Sequence, residues 1–260
     1  MSVLDLFRQD GKRALVTGSS RGLGRAMALA LAEVGADVIL TGRTEDTLAA
    51  TAAEIRALGR QAWTVVADMG NPAACEAACQ RIVAELGPID VLINNVGNRN
   101  ENVPIEEESL ATWQELVDLN LTSCFLGTKI IGGAMLKRGQ GGRIINIASI
   151  SGLIANRGIA GRHYETAKAA VLHFTRCAAA DWALHGITVN AICPGLFMTD
   201  ANKRWNEIRP DVIEAIVQNI PMGRTGQPEE IGPLAVYLAS PAAAYVTGAA
   251  FVIDGGYTVW

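Results

Sequence analysis

Tyr164 and Lys168 stand four residues apart in the stretch YETAK, just after a polar loop that contains glycine. On a helix, positions i and i+4 share one face. A phenol has an ordinary pKa of about 10 and is almost wholly neutral at pH 7. A cation alongside favours the phenolate and lowers that value. The pair could therefore be a tuned proton donor. The bare spacing more often means a surface tyrosine beside a solvated lysine, so the rest of the chain has to decide.

A second constellation lies near the start. The apolar run RALVTG (13–18) leads into TGSSRGLG. Gly18 lets the chain turn tightly after a strand. Gly22 and Gly24 leave the backbone bare where a pyrophosphate would approach and where the next helix packs on the sheet. The first turn of that helix would present free N–H groups and a positive dipole end to phosphates. A plain strand-to-helix turn is the alternative; the position on the first strand favours a nucleotide.

The second apolar run ends in TGRTED. Sites for NAD usually carry an acidic residue there for the ribose hydroxyls. Thr41, Gly42 and Arg43 stand in its place. Arg43, with Arg21 from the glycine loop, could clamp a 2′-phosphate through its fork of donors. That favours NADP(H) over NAD(H), the alternative being two solvated arginines. The missing acid also weighs against an S-adenosylmethionine methyltransferase, which would want a carboxylate for the ribose.

These groups need a scaffold. Seven short apolar runs read as strands: 13–18, 36–42, 62–68, 89–95, 142–149, 186–195 and 249–256. They lack polar/apolar alternation, as expected of a parallel sheet covered on both faces. Helical patterns lie between them. One runs from Gly22 to a stop at Gly35. Another opens with Asn71 as N-cap and Pro72 in the first turn. The reading is α/β: a single-domain Rossmann fold over residues 1–260, doubly wound, with a mostly seven-stranded parallel sheet and helices on both faces. Residues 196–225 are the least regular part and follow a strand end, where ligand-binding loops lie; a substrate lid is expected there.

The chain has 260 residues, half of them hydrophobic, and a net charge of −4. No basic cluster marks a nucleic-acid surface. The opening residues show no charged and apolar leader, and no uninterrupted apolar run would cross a bilayer. The cysteines (75, 79, 124, 177, 193) form no CxxC pair. They read as reduced, buried thiols of a cytoplasmic protein, with no metal site.

In this order the motifs resemble the short-chain dehydrogenase/reductase family over essentially the whole chain. TGSSRGLG matches its glycine loop, Asp68 its acidic residue near the adenine, and NNVG (94–97) its NNAG, with Val96 in place of alanine. Asn120 falls in LVDLNLTS, Ser149 in INIASISG, Tyr164 and Lys168 in YETAK, and Pro194 and Gly195 in NAICPG. One departure concerns the serine. The family places it thirteen residues before the tyrosine, which would be Ser151; Ser149 is fifteen before. Alignment on the strand end selects Ser149 and puts two extra residues in the loop GLIANRGIAGRH.

The resemblance implies hydride transfer between nicotinamide C4 and a ketone or secondary alcohol. Tyr164 would carry the proton, Ser149 would hold the substrate oxygen, Lys168 would hold the nicotinamide ribose and lower the tyrosine pKa, and Asn120 would anchor a proton-relay water. It implies cofactor contacts at Gly18, Ser20, Arg21, Gly22, Leu23, Gly24, Arg43, Asp68, Met69, Asn95, Gly97, Tyr164, Lys168, Pro194, Gly195 and Thr199. It also implies a homotetramer, through the helix patterns at 109–137 and 162–185 and the C-terminal strand. The opening residues and the NNVG variant look most like gluconate 5-dehydrogenase-like members acting on sugar acids and polyols. A 3-oxoacyl thioester reductase is the alternative enzyme, and a non-catalytic NADP-binding protein the alternative of another class. Of the other candidates, His163 is expected to be a solvated loop-end residue or, less often, a substrate contact. His173 and His185 read as structural, Trp205 as a residue that could line the pocket, and Asp181 and Trp182 as packing or interface residues.

Overall fold

A computed structural model of the chain describes residues 2–99, 102–156 and 159–260. Seven strands form one sheet: β1 Arg13–Val16, β2 Asp37–Gly42, β3 Ala62–Val66, β4 Val91–Asn94, β5 Gly142–Ile147, β6 Ile187–Pro194 and β7 Ala250–Ile253. Their order is β3-β2-β1-β4-β5-β6-β7, and every pairing is parallel. The order reverses between β1 and β4. This opens a crevice at their carboxyl ends, the place where such sheets bind ligands.

Alternate residues of the inner strands enter two different cores, which is why the runs show no alternation. Val16, Val38, Leu40, Ile93 and Ile145 pack under α1 (Gly22–Glu33), α2 (Glu45–Ala57) and α10 (Gly232–Ala239). Leu15, Ile39, Leu92, Ile144 and Val189 pack on the other face. That face is covered by α3 (Pro72–Glu85), a long central helix and α7 (Arg162–Trp182). Truncating any of these buried leucines or isoleucines to alanine would cost about 2–5 kcal/mol. The α1 stop at Gly35 (φ +107°) and the α3 cap, where Asn71 Oδ1 accepts from the Ala74 amide at 3.0 Å, are as the sequence indicates.

The central helix runs from Leu110 to Arg138 as α4 (Leu110–Val117), α5 (Ser123–Gly127) and α6 (Gly133–Arg138), joined by π turns at Asp118–Thr122 and Thr128–Gly132. Its mean hydropathy of 1.2 and length would suffice to cross a bilayer, but half of that stretch is buried in the fold. Residues 196–225 differ from expectation. They hold two short helices, α8 (Asp200–Ile208) and α9 (Pro210–Val217). Neither sends a broad apolar stripe inward: α8 buries nothing and α9 only Ile213. Their pattern therefore looks irregular in sequence. Four of the five cysteines are buried, as expected, but Cys177 is exposed. The loop residues Arg157 and Gly158 lie outside the described residues, so only part of the extra loop length can be placed.

Candidate active site

The glycine loop is fixed before any ligand arrives. Gly18 and Gly22 adopt φ of +64° and +57°, which favours glycine at both. A β-carbon on Gly24 would collide with the Gly18 carbonyl and the Asn95 side chain, so Gly24 is the close-packing glycine. Asn95 Nδ2 donates to the carbonyls of Thr17 (2.9 Å) and Gly18 (3.1 Å) and so holds the loop's shape. From the other side, Thr41 Oγ1 accepts from the Gly18 amide at 3.2 Å, and Ser19 donates to the Val16 carbonyl at 2.8 Å. Thr51 Oγ1 donates to the Ser20 carbonyl at 3.4 Å. The N-cap of α1 is Arg21, whose side chain caps nothing, so the first-turn N–H groups, including that of Leu23, are open to an anion.

Arg21 and Arg43 are both exposed and, among the described residues, neither side chain has a hydrogen bond or ion pair. Gly42 is buried, and a β-carbon there would lie 3.3 Å from Ser20 and from Leu48. Asp68 is exposed and accepts from the Gly70 amide at 3.0 Å, while the Met69 side chain belongs to the core. Pro194 ends β6, and Gly195 packs so closely on Asp254 that a β-carbon would come within 2.7 Å of it. Thr199 caps α8 by accepting from the Asn202 amide at 3.4 Å, and its methyl group faces Gly22. The candidate lid is thus joined to the glycine loop at Thr199. Trp205 is half-buried within α8.

The proton-transfer candidates converge at the ends of β4 and β5. Lys168 is 3 % exposed and donates to the Ile147 carbonyl at 2.9 Å. Its burial pulls the ammonium pKa down to about 8, against a smaller opposite influence of Cys124 and Cys193. Asn120 lies in the first π turn, where its Nδ2 donates to the Leu116 and Asn98 carbonyls, both at 2.9 Å. Its Oδ1 accepts from the Asn98 amide at 3.0 Å. Gly97 sits over both groups: a β-carbon would come within 2.7 Å of Asn120 Oδ1 and of Lys168 Nζ. Below them runs a buried chain that the sequence does not announce. Asn94 donates to Asn146 at 2.9 Å and to Thr128 at 3.0 Å, and Asn146 donates to Thr175 at 2.9 Å.

Ser149 stands beside Tyr164 and acts to lower its pKa, and Ser149 Oγ accepts from the Ser151 amide at 3.1 Å. Ser151 is engaged elsewhere: its Oγ accepts from Asn156 Nδ2 at 2.8 Å and from Arg99 at 3.4 Å. Two expectations need correcting. Burial pushes the Tyr164 hydroxyl above its ordinary pKa; the Ser149 hydrogen bond and the charge of Arg99, not of Lys168, oppose that rise. His163 is neither solvated nor turned to a substrate. It is fully buried, with Nδ1 paired to Glu108.

The family profile described as enoyl-(acyl carrier protein) reductase matches residues 18–258. A 3-oxoacyl-(acyl-carrier-protein) reductase of Synechocystis sp. is 42% identical over 249 residues, which is 95% of this chain and 97% of that one. The galactitol 2-dehydrogenase (L-tagatose-forming) of Cereibacter sphaeroides is 39% identical over 260 residues, 100% of both chains. The chain belongs to the short-chain dehydrogenase/reductase family. A solved member, a gluconate 5-dehydrogenase from Burkholderia cenocepacia in complex with NADP and tartrate, superposes with a TM-score of 0.91 at 36% identity, covering 100% of both chains. Membership makes the chain an oxidoreductase acting on CH–OH groups or the corresponding carbonyls with a nicotinamide cofactor. The chain fits such a group: the first-turn N–H groups of α1 carry no side-chain cap and are open to a pyrophosphate at the carboxyl end of β1. When bound, the cofactor supplies or accepts the hydride.

Proposed function

We propose that the protein is an NADP(H)-preferring dehydrogenase/reductase of small polar ketones and secondary alcohols, with sugar acids or polyols as the substrate class. The observation that carries the reading is the meeting of Ser149, Tyr164, Lys168 and Asn120 at the mouth of a nucleotide crevice. In reduction, the Tyr164 hydroxyl gives its proton to the carbonyl oxygen, and Ser149 donates a hydrogen bond to that oxygen as negative charge develops. Lys168 holds the nicotinamide ribose, and Asn120 orients the relay to solvent. Arg21 and Arg43 hold the 2′-phosphate, and Ser20, Gly22, Leu23 and Gly24 frame the pyrophosphate. Asp68 with the Met69 backbone flanks the adenine, while Asn95, Gly97, Pro194, Gly195 and Thr199 line the nicotinamide side.

The substrate class rests on likeness to the galactitol and gluconate enzymes and on the NADP and tartrate in the solved gluconate enzyme. A 3-oxoacyl reductase remains the second reading, because the Synechocystis relative at 42% identity has that activity. Purified protein assayed for NADPH oxidation and NADP⁺ reduction across sugar acids, polyols and a 3-oxoacyl thioester decides between them. Turnover of the thioester alone would reverse the assignment, and no turnover of any substrate would leave a binding protein.

The segment 196–225 serves as the lid over the substrate. Hydrogen exchange should show α8 and α9 gaining protection when cofactor and substrate bind; strong protection in both states would exclude it. The protein works in the cytoplasm as a homotetramer. Supporting this are five free cysteines and the Phe125–Phe174 edge-to-face pair, centroids 6.1 Å apart, with Phe125 45% exposed on the central helix. Light scattering that returned a monomer at micromolar concentration would refute the tetramer.

A further inference from the structure

Arg99 is absent from the family motifs, yet among the described residues it is the cation nearest the tyrosine ring. Its guanidinium carbon lies 4.7 Å from the Tyr164 ring centroid, against 5.7 Å for Lys168 Nζ. The side chain is only 17% exposed and is held from several directions. Nη1 donates to the Ala160 carbonyl at 2.9 Å, and Nη2 lies 3.4 Å from both Ser151 Oγ and Glu165 Oε1. Ser151, Asn156 and Ala160 all belong to the loop between Ser149 and Tyr164, the one that is two residues longer than the family spacing. The additional chain thus lies in the segment that clamps Arg99.

Several charged groups among the described residues surround Tyr164. On α7, Glu165 stands next to the tyrosine and is buried. Burial opposes its charge, but hydrogen bonds from Asn156 and the Arg162 guanidinium outweigh this and hold its carboxyl below the ordinary value. Among the described residues, one carboxylate therefore faces two guanidiniums, Arg99 and Arg162. His163, on the same helix, is matched by Glu108 from the segment before α4. Among the described residues Lys168 is the other cation over the ring, and the nearby thiols Cys124 and Cys193 are pushed up to about 12 and about 11, largely by burial, and so stay neutral.

We infer that Arg99 is a positioning residue for proton transfer, its permanent charge clamped over the Tyr164 ring to stabilise the phenolate left when the proton departs. This rests on the proposed role of Tyr164. When the O–H bond breaks, the electron pair stays on the phenolate oxygen and the proton bonds to the substrate oxygen. The ring becomes more electron-rich, so a cation over its face binds more strongly after transfer than before. A guanidinium keeps its charge at every working pH. Lys168 does not, because its ammonium titrates near 8. Arg99 thus maintains the field in the alkaline range where alcohol oxidation would draw on the phenolate.

The test reads the phenol directly. Ultraviolet difference titration of the apoenzyme, with Tyr164→Phe as the blank, isolates the Tyr164 ionisation from the other three tyrosines. In Arg99→Met and Arg99→Gln that ionisation should move up by about one unit, since a neighbouring opposite charge is worth about 1–3 units. Arg99→Lys should restore most of it. The acidic limb of the pH–rate profile for alcohol oxidation should shift in the same direction, with NADPH affinity changed less than about tenfold, or roughly 1.4 kcal/mol. Arg99→Gln keeps donors for Ala160 and Ser151, so a folded Gln variant carries the test if the Met variant fails to fold. An unshifted titration in folded Arg99→Gln, or an equal shift in Arg99→Lys, would overturn the inference. If Tyr164→Phe keeps full activity, the functional reading falls instead, while the titration still reports on Arg99.

Discussion

Gly97 lies directly against Lys168: a β-carbon on Gly97 would stand 2.7 Å from the Lys168 ammonium. The same carbon would stand 2.7 Å from Asn120 Oδ1, so one methyl group would push on two buried polar groups at once.

Gly97→Ala is therefore expected to lower kcat more than tenfold and to destabilise the fold by about 1–3 kcal/mol, the usual cost of overpacking. Gly133→Ala is the matched control. A β-carbon there meets nothing within 4 Å, and replacing a helix glycine should stabilise by about 0.5–1 kcal/mol. Steady-state kinetics and urea unfolding of both variants check the pair. A fully active Gly97→Ala enzyme would show that Lys168 has room to move.

Burial of Lys168 gives stability a pH dependence of known sign. Its pKa is lowered from 10.5 to about 8 in the folded protein, so between these values the unfolded chain binds more protons. Stability then rises with pH across that window; below about 8 the full cost of burying the charge is present. Lys168→Met removes the charge, so at pH 7 it should be more stable than wild type by up to about 3 kcal/mol, the scale of a shift of roughly 2.5 units. The gap should close toward pH 10. Urea unfolding of both proteins at pH 7 and pH 10 measures this, and a gap that widened with pH would contradict the assignment.

Much of this arrangement is legible in the sequence. Residues 13–18 and 142–149 read as strands because both faces bury aliphatics, and the glycine loop reads from three glycines whose spacing the turn demands. Other parts depend on partners remote in sequence. Arg99 finds Ala160 and Glu165 61 and 66 residues away, and His163 finds Glu108 55 residues away. Asn94 and Asn146 fall inside runs that read as strands; what the sequence does not show is the hydrogen bond between their buried amides, 52 residues apart. The α8–α9 helices were illegible for a different reason, since they bury too little to leave a clear period.

The two serines should separate cleanly. Ser149→Ala removes the hydroxyl beside Tyr164 and is expected to cost about 10²–10³ in kcat, as for loss of an oxyanion donor. Ser151→Ala removes a loop hydrogen bond to Asn156 and should cost less than about tenfold in kcat and about 0.5–1.5 kcal/mol in stability. The reverse order of effects would move the assignment to Ser151.

Cofactor preference should reside in Arg43, with Arg21 contributing. A charge-assisted hydrogen bond contributes about 1.5–3 kcal/mol, and exposure of both side chains pulls this toward the lower end. Arg43→Ala is expected to reduce kcat/KM for NADPH about ten- to a hundredfold and to leave NADH nearly unchanged. An acid at Gly42 is a poorer probe, because its β-carbon would press on Ser20 and Leu48 at 3.3 Å. A wild type that prefers NADH would refute the preference.

The role of Tyr164 is the centre of the account, and Tyr164→Phe tests it most directly, since only a hydroxyl is lost. NADPH binding by fluorescence and turnover on the best substrate should be measured side by side for wild type and variant. The account predicts unchanged NADPH affinity and a fall in kcat of about 10²–10⁴, the range for general acid–base catalysis. A variant that retained more than about a tenth of the wild-type rate, outside that range, would contradict it.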